Sequence, residues 1–150
     1  MTSQTKIRTG KGEGEAVGIA LLGFGTVGAE VFRLLGENAD AFAHRIGGPA
    51  EIRGVAVQNK NKLRPGVPKD LLTDDAKALV MRDDIDLVVE VIGGIDYPRE
   101  LLLAALNAGK SVVTANKALV AAHADELAEA ADRAGVDLYF CLLYTSLMAR

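Results

Sequence analysis

Three short stretches of this chain combine residue types and spacings that can do chemistry. The first is Gly23-Phe24-Gly25-Thr26-Val27-Gly28, a G-x-G-x-x-G pattern. An apolar run, Val17–Leu22, precedes it, and Thr26–Leu35 follows with apolar residues at helical spacing. In that context the first glycine permits a tight turn and the second lets backbone approach a pyrophosphate. The third allows close helix–strand packing. The free N–H groups and partial positive charge of a helix start favour phosphate. The reading is dinucleotide binding, against a glycine-rich packing turn. The second stretch is Glu90-Val91-Ile92-Gly93-Gly94. Its glycines would let backbone approach the nicotinamide half of such a ligand, or they form a plain strand-to-helix turn. Glu90 is either buried and paired or on a wet face. The third stretch is Thr114-Ala115-Asn116-Lys117. A lysine at a helix start is disfavoured by the macrodipole, so Lys117 invites a functional reason. At that location it could stabilise a developing alkoxide during hydride transfer.

The acidic residue that would hold a ribose 2′-hydroxyl after the second strand is missing. No Asp or Glu occurs between Glu51 and Asp70, whereas Arg53, Lys60, Lys62, Arg64 and Lys69 all lie in that gap. A 2′-phosphate would be attracted there. The expected cofactor is therefore NADP, with NAD as the alternative, and Lys60, Lys62 or Arg64 lies near the 2′-phosphate. A solvated basic loop is the competing reading.

The elements that must position these residues alternate along the chain. Strands are read at Val17–Leu22, Glu51–Val57, Asp86–Ile92, Ser111–Thr114 and Val136–Phe140. Helices are read at Thr26–Leu35, Ala39–Ile46, Asp74–Met81, Pro98–Asn107 and Lys117–Ala134. Such alternation predicts an α/β fold: a Rossmann-type, doubly wound parallel sheet in three layers. Residues 17–140 form that domain. Residues 1–16 read as a disordered polar tail. A signal peptide fits poorly, because Glu13 and Glu15 stand where positive charge is needed and glycines break the apolar run.

Composition excludes several functions. The 150 residues carry 17 basic and 20 acidic side chains, a net charge of −3, which argues against nucleic-acid binding through overall basicity. There is no Trp, and stacking platforms for single strands are not expected. A single cysteine, Cys141, excludes an intrachain disulfide and a multi-cysteine zinc site. His44 and His123 are isolated, and the Asp83, Asp84 and Asp86 run reads as a solvated turn, so no metal site is expected. No apolar run is long enough to span a membrane.

Several stretches together resemble homoserine dehydrogenase, notably the actinobacterial type. They are AVGIALLGFGTVGAEVFRLL, AHRIGGPAEIRGVAV, VVEVIGGIDYPRELLLAALNAGKSVVTANKALVAAHADELAEAA and GVDLYF, covering about residues 16–140. The resemblance implies reversible, NAD(P)H-dependent reduction of L-aspartate 4-semialdehyde to L-homoserine, a step toward threonine, methionine and isoleucine. It implies that Gly23, Phe24, Gly25, Thr26, Val27 and Gly28 form the dinucleotide loop. Gly93 and Thr114 match positions lining the cofactor. Lys117 matches a catalytic lysine at the nicotinamide and substrate, and Lys60 is carried over weakly. A cytoplasmic, homo-oligomeric parent enzyme is implied. After Phe140 the chain departs from the family's pattern and reads Cys141-Leu142-Leu143-Tyr144-Thr145-Ser146-Leu147-Met148-Ala149-Arg150. Residues 141–150 are therefore expected to be an atypical tail with the substrate domain absent. The chain itself is expected to bind NADP(H) and turn over nothing. Another semialdehyde or imine reductase, and a non-catalytic nucleotide-sensing module, stay open.

Overall fold

The computed structural model describes residues 7–140. Expectations for residues 1–6 and 141–150, including the atypical tail, lie outside the described residues. Six strands form one sheet: β1 Val17–Leu22, β2 Ala50–Ala56, β3 Leu72–Thr73, β4 Leu87–Glu90, β5 Ser111–Thr114 and β6 Leu138–Phe140. All neighbours are parallel, in the order β3-β2-β1-β4-β5-β6. The helices are α1 Thr26–Glu37, α2 Ala39–Ile46, α3 Ala76–Val80, α4 Asp96–Asn107 and α5 Lys117–Ala134.

The β1 sequence shows no alternation because every one of its residues is buried. A central parallel strand is covered on both faces and needs apolar side chains on each. Ile19 and Leu21 belong to the clusters packed with Val31, Leu35 and Ile46 of α1 and α2. Ala20 and Leu22 face the other way, into the cluster built from Leu79, Leu101, Leu102, Ala105, Leu106, Leu119, Leu127 and Ala130 of α3, α4 and α5. The result is the expected three-layer Rossmann-type sheet.

Register places the strand ends in one row. Thr73 pairs with Ala56, Ala56 with Leu22, Leu22 with Glu90, Glu90 with Thr114 and Thr114 with Phe140. Every loop singled out by the sequence therefore leaves the sheet from the same edge. Between β1 and β4 the strand order reverses, and such switch points are where open parallel sheets bind ligands.

Part of the segment read as a polar tail lies against the opposite, N-terminal edge. Ile7 is buried and its N–H donates to the Arg45 carbonyl at 3.0 Å. The Arg8 N–H donates to Asp137 Oδ2 at 2.7 Å, and its guanidinium donates to Asp137 Oδ1 at 2.9 Å. Lys11 Nζ lies 3.7 Å from Asp86. Burial works to raise the Asp137 carboxyl, but the Arg8 side-chain and backbone hydrogen bonds outweigh it and hold it below its ordinary 3.8. A depressed folded value contributes stability above the ordinary pKa that is lost as pH falls through the folded one. Asp137→Asn is thus expected to lower the melting temperature at neutral pH. The difference from wild type should shrink once pH drops below 3.8. A pH-independent difference in a melting series would contradict this pairing.

Candidate functional site

The glycine turn follows β1 directly. Gly23 has φ +104°, a left-handed-side value that favours glycine, and its N–H donates to the Ala56 carbonyl at 2.9 Å. A Cβ on Gly28 would stand 2.3 Å from the Gly23 carbonyl oxygen, so only glycine lets α1 start this close to β1. Gly25 is different. Its φ is −78° and a Cβ there would meet nothing within 4 Å. It is the N-cap of α1, with no side-chain cap and no acidic residue in the first turn. The N–H groups at this helix start therefore open onto free space at the crevice, with the dipole's partial positive charge behind them. These features fit a pyrophosphate. Phe24 and Val27 are half-buried, and Phe24 packs edge-on against Phe32 with ring centroids 5.7 Å apart.

The basic loop after β2 leaves from the same edge, but it is smaller than the sequence suggested. Arg53 does not belong to it. The β1–β2 register skips Arg53, which sits in a bulge. Its guanidinium donates to the Asp84 carbonyl at 2.8 Å and pairs with Glu51 at 2.9 Å. A bulge re-aims one side chain, here toward Asp84, before the start of β4. Lys60 is exposed and lies 3.9 Å from Asp74. Arg64 donates to the carbonyls of Asn59 and Lys62, which folds the loop on itself. Lys60 and Lys62 thus remain exposed in this loop, with Lys69 exposed at its far end.

Between β4 and β5 the structure shows what Glu90 does. It is fully buried, on the α4/α5 face with Val88. Its Oε1 accepts from the Thr114 hydroxyl at 2.6 Å, and Oε2 accepts from the Ile92 N–H at 2.8 Å and the Gly93 N–H at 3.3 Å. The Thr114 oxygen in turn accepts from the Asn116 N–H at 3.0 Å. Asn116 Oδ1 caps α5 by accepting from the Leu119 N–H at 3.1 Å, and Nδ2 donates to the Gly94 carbonyl at 2.7 Å. One expectation changes. The Thr114 side chain is completely buried and engaged by Glu90 and Asn116, so it supports the crevice from beneath instead of lining it. Asn116, unremarked in the sequence, connects the second and third stretches. Its signal was its place just before a helix, where an Asn caps the first turn.

Lys117 is the first residue of α5 and is exposed beside this network. Gly93 and Gly94 are exposed too, at φ +87° and +82°, with open space where a Cβ would project. The structure therefore brings Gly23–Gly28, Gly93 and Lys117 to one edge of the sheet, with Lys60 in the loop beyond β2. His123 falls inside α5, at a kink with φ −136°, and its Nδ1 is 3.5 Å from Glu126. Glu126 also receives two hydrogen bonds of 2.6 Å from Arg99 of α4.

Residues 23–141 match the family described as "Homoserine dehydrogenase, NAD binding domain". The chain belongs to the homoserine dehydrogenase family. It is 67% identical over 138 residues to the homoserine dehydrogenase of Corynebacterium glutamicum, covering 92% of this chain and 31% of that protein. To the Mycobacterium tuberculosis homoserine dehydrogenase it is 51% identical over 129 residues, covering 86% and 29%. The solved S. aureus homoserine dehydrogenase superposes with a TM-score of 0.77 at 36% identity, over 85% of this chain and 33% of that one. The chain thus spans about a third of these relatives and corresponds to the NAD(P)-binding part of the homoserine dehydrogenases. Among the described residues, no three His, Cys, Asp or Glu side chains gather to hold a metal. No helix there is long and apolar enough to cross a membrane.

Proposed function

We propose that this chain is the cofactor-binding segment of an NADP(H)-dependent homoserine dehydrogenase. The single row of strand ends carries the reading: it puts an uncapped helix start, a basic loop and an exposed helix-start lysine on one edge. The α1 N–H groups hold the pyrophosphate, with Gly25 allowing the close approach. Phe24, Thr26 and Val27 shape the turn, and Gly93 lets the β4–α4 loop lie against the nicotinamide. When bound, the cofactor supplies the hydride for C4 of L-aspartate 4-semialdehyde. Lys117 is the catalytic residue proposed here; its ammonium orients and polarises the C4 oxygen. The whole enzyme acts as a cytoplasmic homo-oligomer on the small-molecule pair homoserine and aspartate semialdehyde.

Lys60 and Lys62 select the 2′-phosphate. The exposed Lys60–Asp74 pair is weak and gives way easily, since such pairs contribute at most about 1 kcal/mol. NADPH is expected to bind this chain about tenfold or more tighter than NADH, equivalent to one charge-assisted contact. Replacing both lysines by Ala should erase most of that preference, and the purified chain should not reduce NADP with L-homoserine. Equal affinity for the two cofactors, in titrations by fluorescence, would remove the NADP assignment. Homoserine-dependent NADP reduction by the chain alone would contradict its role as a binding segment.

A further inference from the structure

We propose that Asn116 is a positioning residue that locks the nicotinamide-side loop to the helix carrying Lys117. This rests on the dinucleotide reading above. The Ile92–Gly94 loop has little packing of its own: Ile92, Gly93 and Gly94 are exposed, and both glycines face open space. It is held from below by hydrogen bonds. Glu90 accepts the Ile92 and Gly93 N–H groups, and Asn116 Nδ2 donates to the Gly94 carbonyl. The same Asn116 caps α5 through Oδ1, and its backbone N–H rests on Thr114, which is bonded back to Glu90. The ring Glu90–Thr114–Asn116–loop–Glu90 is closed, and its side-chain members Glu90, Thr114 and Asn116 are buried. Buried, fully satisfied polar networks fix one geometry. Asn116 has both an acceptor for the helix and a donor for the loop, which no other capping residue type provides at this length. Lys117 follows it directly, so the loop facing the nicotinamide and the lysine facing the substrate move as one unit.

Asn116→Ser separates the two duties. A serine still caps α5, but it does not reach the Gly94 carbonyl. Binding of NADPH and of 2′,5′-ADP to the 150-residue chain is measured for wild type and variant, together with the melting temperature. 2′,5′-ADP lacks the nicotinamide half and reports only on the nucleotide end of the site. The expected result is an approximately tenfold loss of NADPH affinity, about one hydrogen bond's worth, with 2′,5′-ADP affinity retained. Hydrogen exchange at residues 92–95 should rise in the variant. Unchanged NADPH affinity would overturn the positioning role while leaving the cofactor reading intact. An equal loss for both ligands would also overturn it, showing general destabilisation. Wild-type chain that binds neither ligand would overturn the cofactor reading and the inference together.

Discussion

Gly25→Asp and Gly28→Val should both lose NADPH binding but act in opposite directions on stability, although they stand only three positions apart. At Gly28 a side chain has no room. Its Cβ would lie 2.3 Å from the Gly23 oxygen, 2.8 Å from the Gly23 carbonyl carbon and 3.3 Å from a Val91 methyl. The first two are backbone atoms, so α1 must move away from β1. Overpacking of this kind costs about 2–3 kcal/mol, and the displaced helix start no longer faces the crevice. Gly28→Val is expected to lose both stability and NADPH binding. At Gly25 a side chain enters open space at a φ of −78°, which any residue adopts. Asp is also a preferred N-cap and sits favourably at the positive end of the helix dipole, which contributes about 0.5–1 kcal/mol. Gly25→Asp should therefore melt at or slightly above the wild-type temperature. Its carboxylate would occupy the place of the pyrophosphate and repel it, with an expected affinity loss of about 100-fold or more. Melting curves and NADPH titrations of both variants check the pair. A destabilised Gly25→Asp, or one that still binds NADPH tightly, would contradict the geometry of the turn.

Glu90→Leu should be the most damaging single change in the described core. Leucine fits the burial but removes the acceptor for the Thr114 hydroxyl and the Ile92 N–H, both within 2.8 Å, and the weaker partner of Gly93. The orphaned Thr114 hydroxyl is buried and costs about 1–3 kcal/mol. The part-buried Ile92 and Gly93 N–H groups cost less each, so a total of about 3 kcal/mol is expected. For a domain of this size that is a fall on the order of 10 °C in melting temperature. Glu90→Gln provides the control. Its amide oxygen can still accept from Ile92 while its amide nitrogen donates to the Thr114 oxygen, so most of the network survives and the loss should be much smaller. Equal losses for Leu and Gln in thermal melts would show that the ring of hydrogen bonds contributes little.

Most of the architecture was readable from pattern. Val17–Leu22 and Ser111–Thr114 appear in the structure with the expected bounds, because buried parallel strands leave short apolar runs that end at turn residues. Lys117–Ala134 likewise matches, bounded by the Asn116 cap and Gly135. The strand Leu72–Thr73 was missed, since two residues show no periodicity and pairing with Val55 and Ala56 alone defines it. The reach of residues 7–11 across the N-terminal edge was missed for another reason. Arg8 and Lys11 look solvated in sequence, and Asp137 and Asp86, which receive them, are distant along the chain.

The site was legible as loops and illegible as connections. Gly23 and Gly28 carried their own meaning because each answers a local steric question. Arg53 was grouped with Lys60 by proximity in sequence, but the bulge in β2 turns it toward Asp84. Thr114 and Asn116 could not be told apart in role, since which hydroxyl or amide meets Glu90 depends on β4 and β5 lying side by side. Long-range pairing decides such roles, and neither residue type nor spacing encodes it.

The most direct test is hydrogen exchange of the 150-residue chain, followed by mass spectrometry, with and without saturating NADPH. Binding across the strand-end row predicts protection in the glycine turn and the start of α1, in residues 58–64, and in the two loops after β4 and β5. Protection confined to the opposite edge, around residues 7–15 and 45–48, or no protection at all, would contradict a dinucleotide site at the β1–β4 switch point.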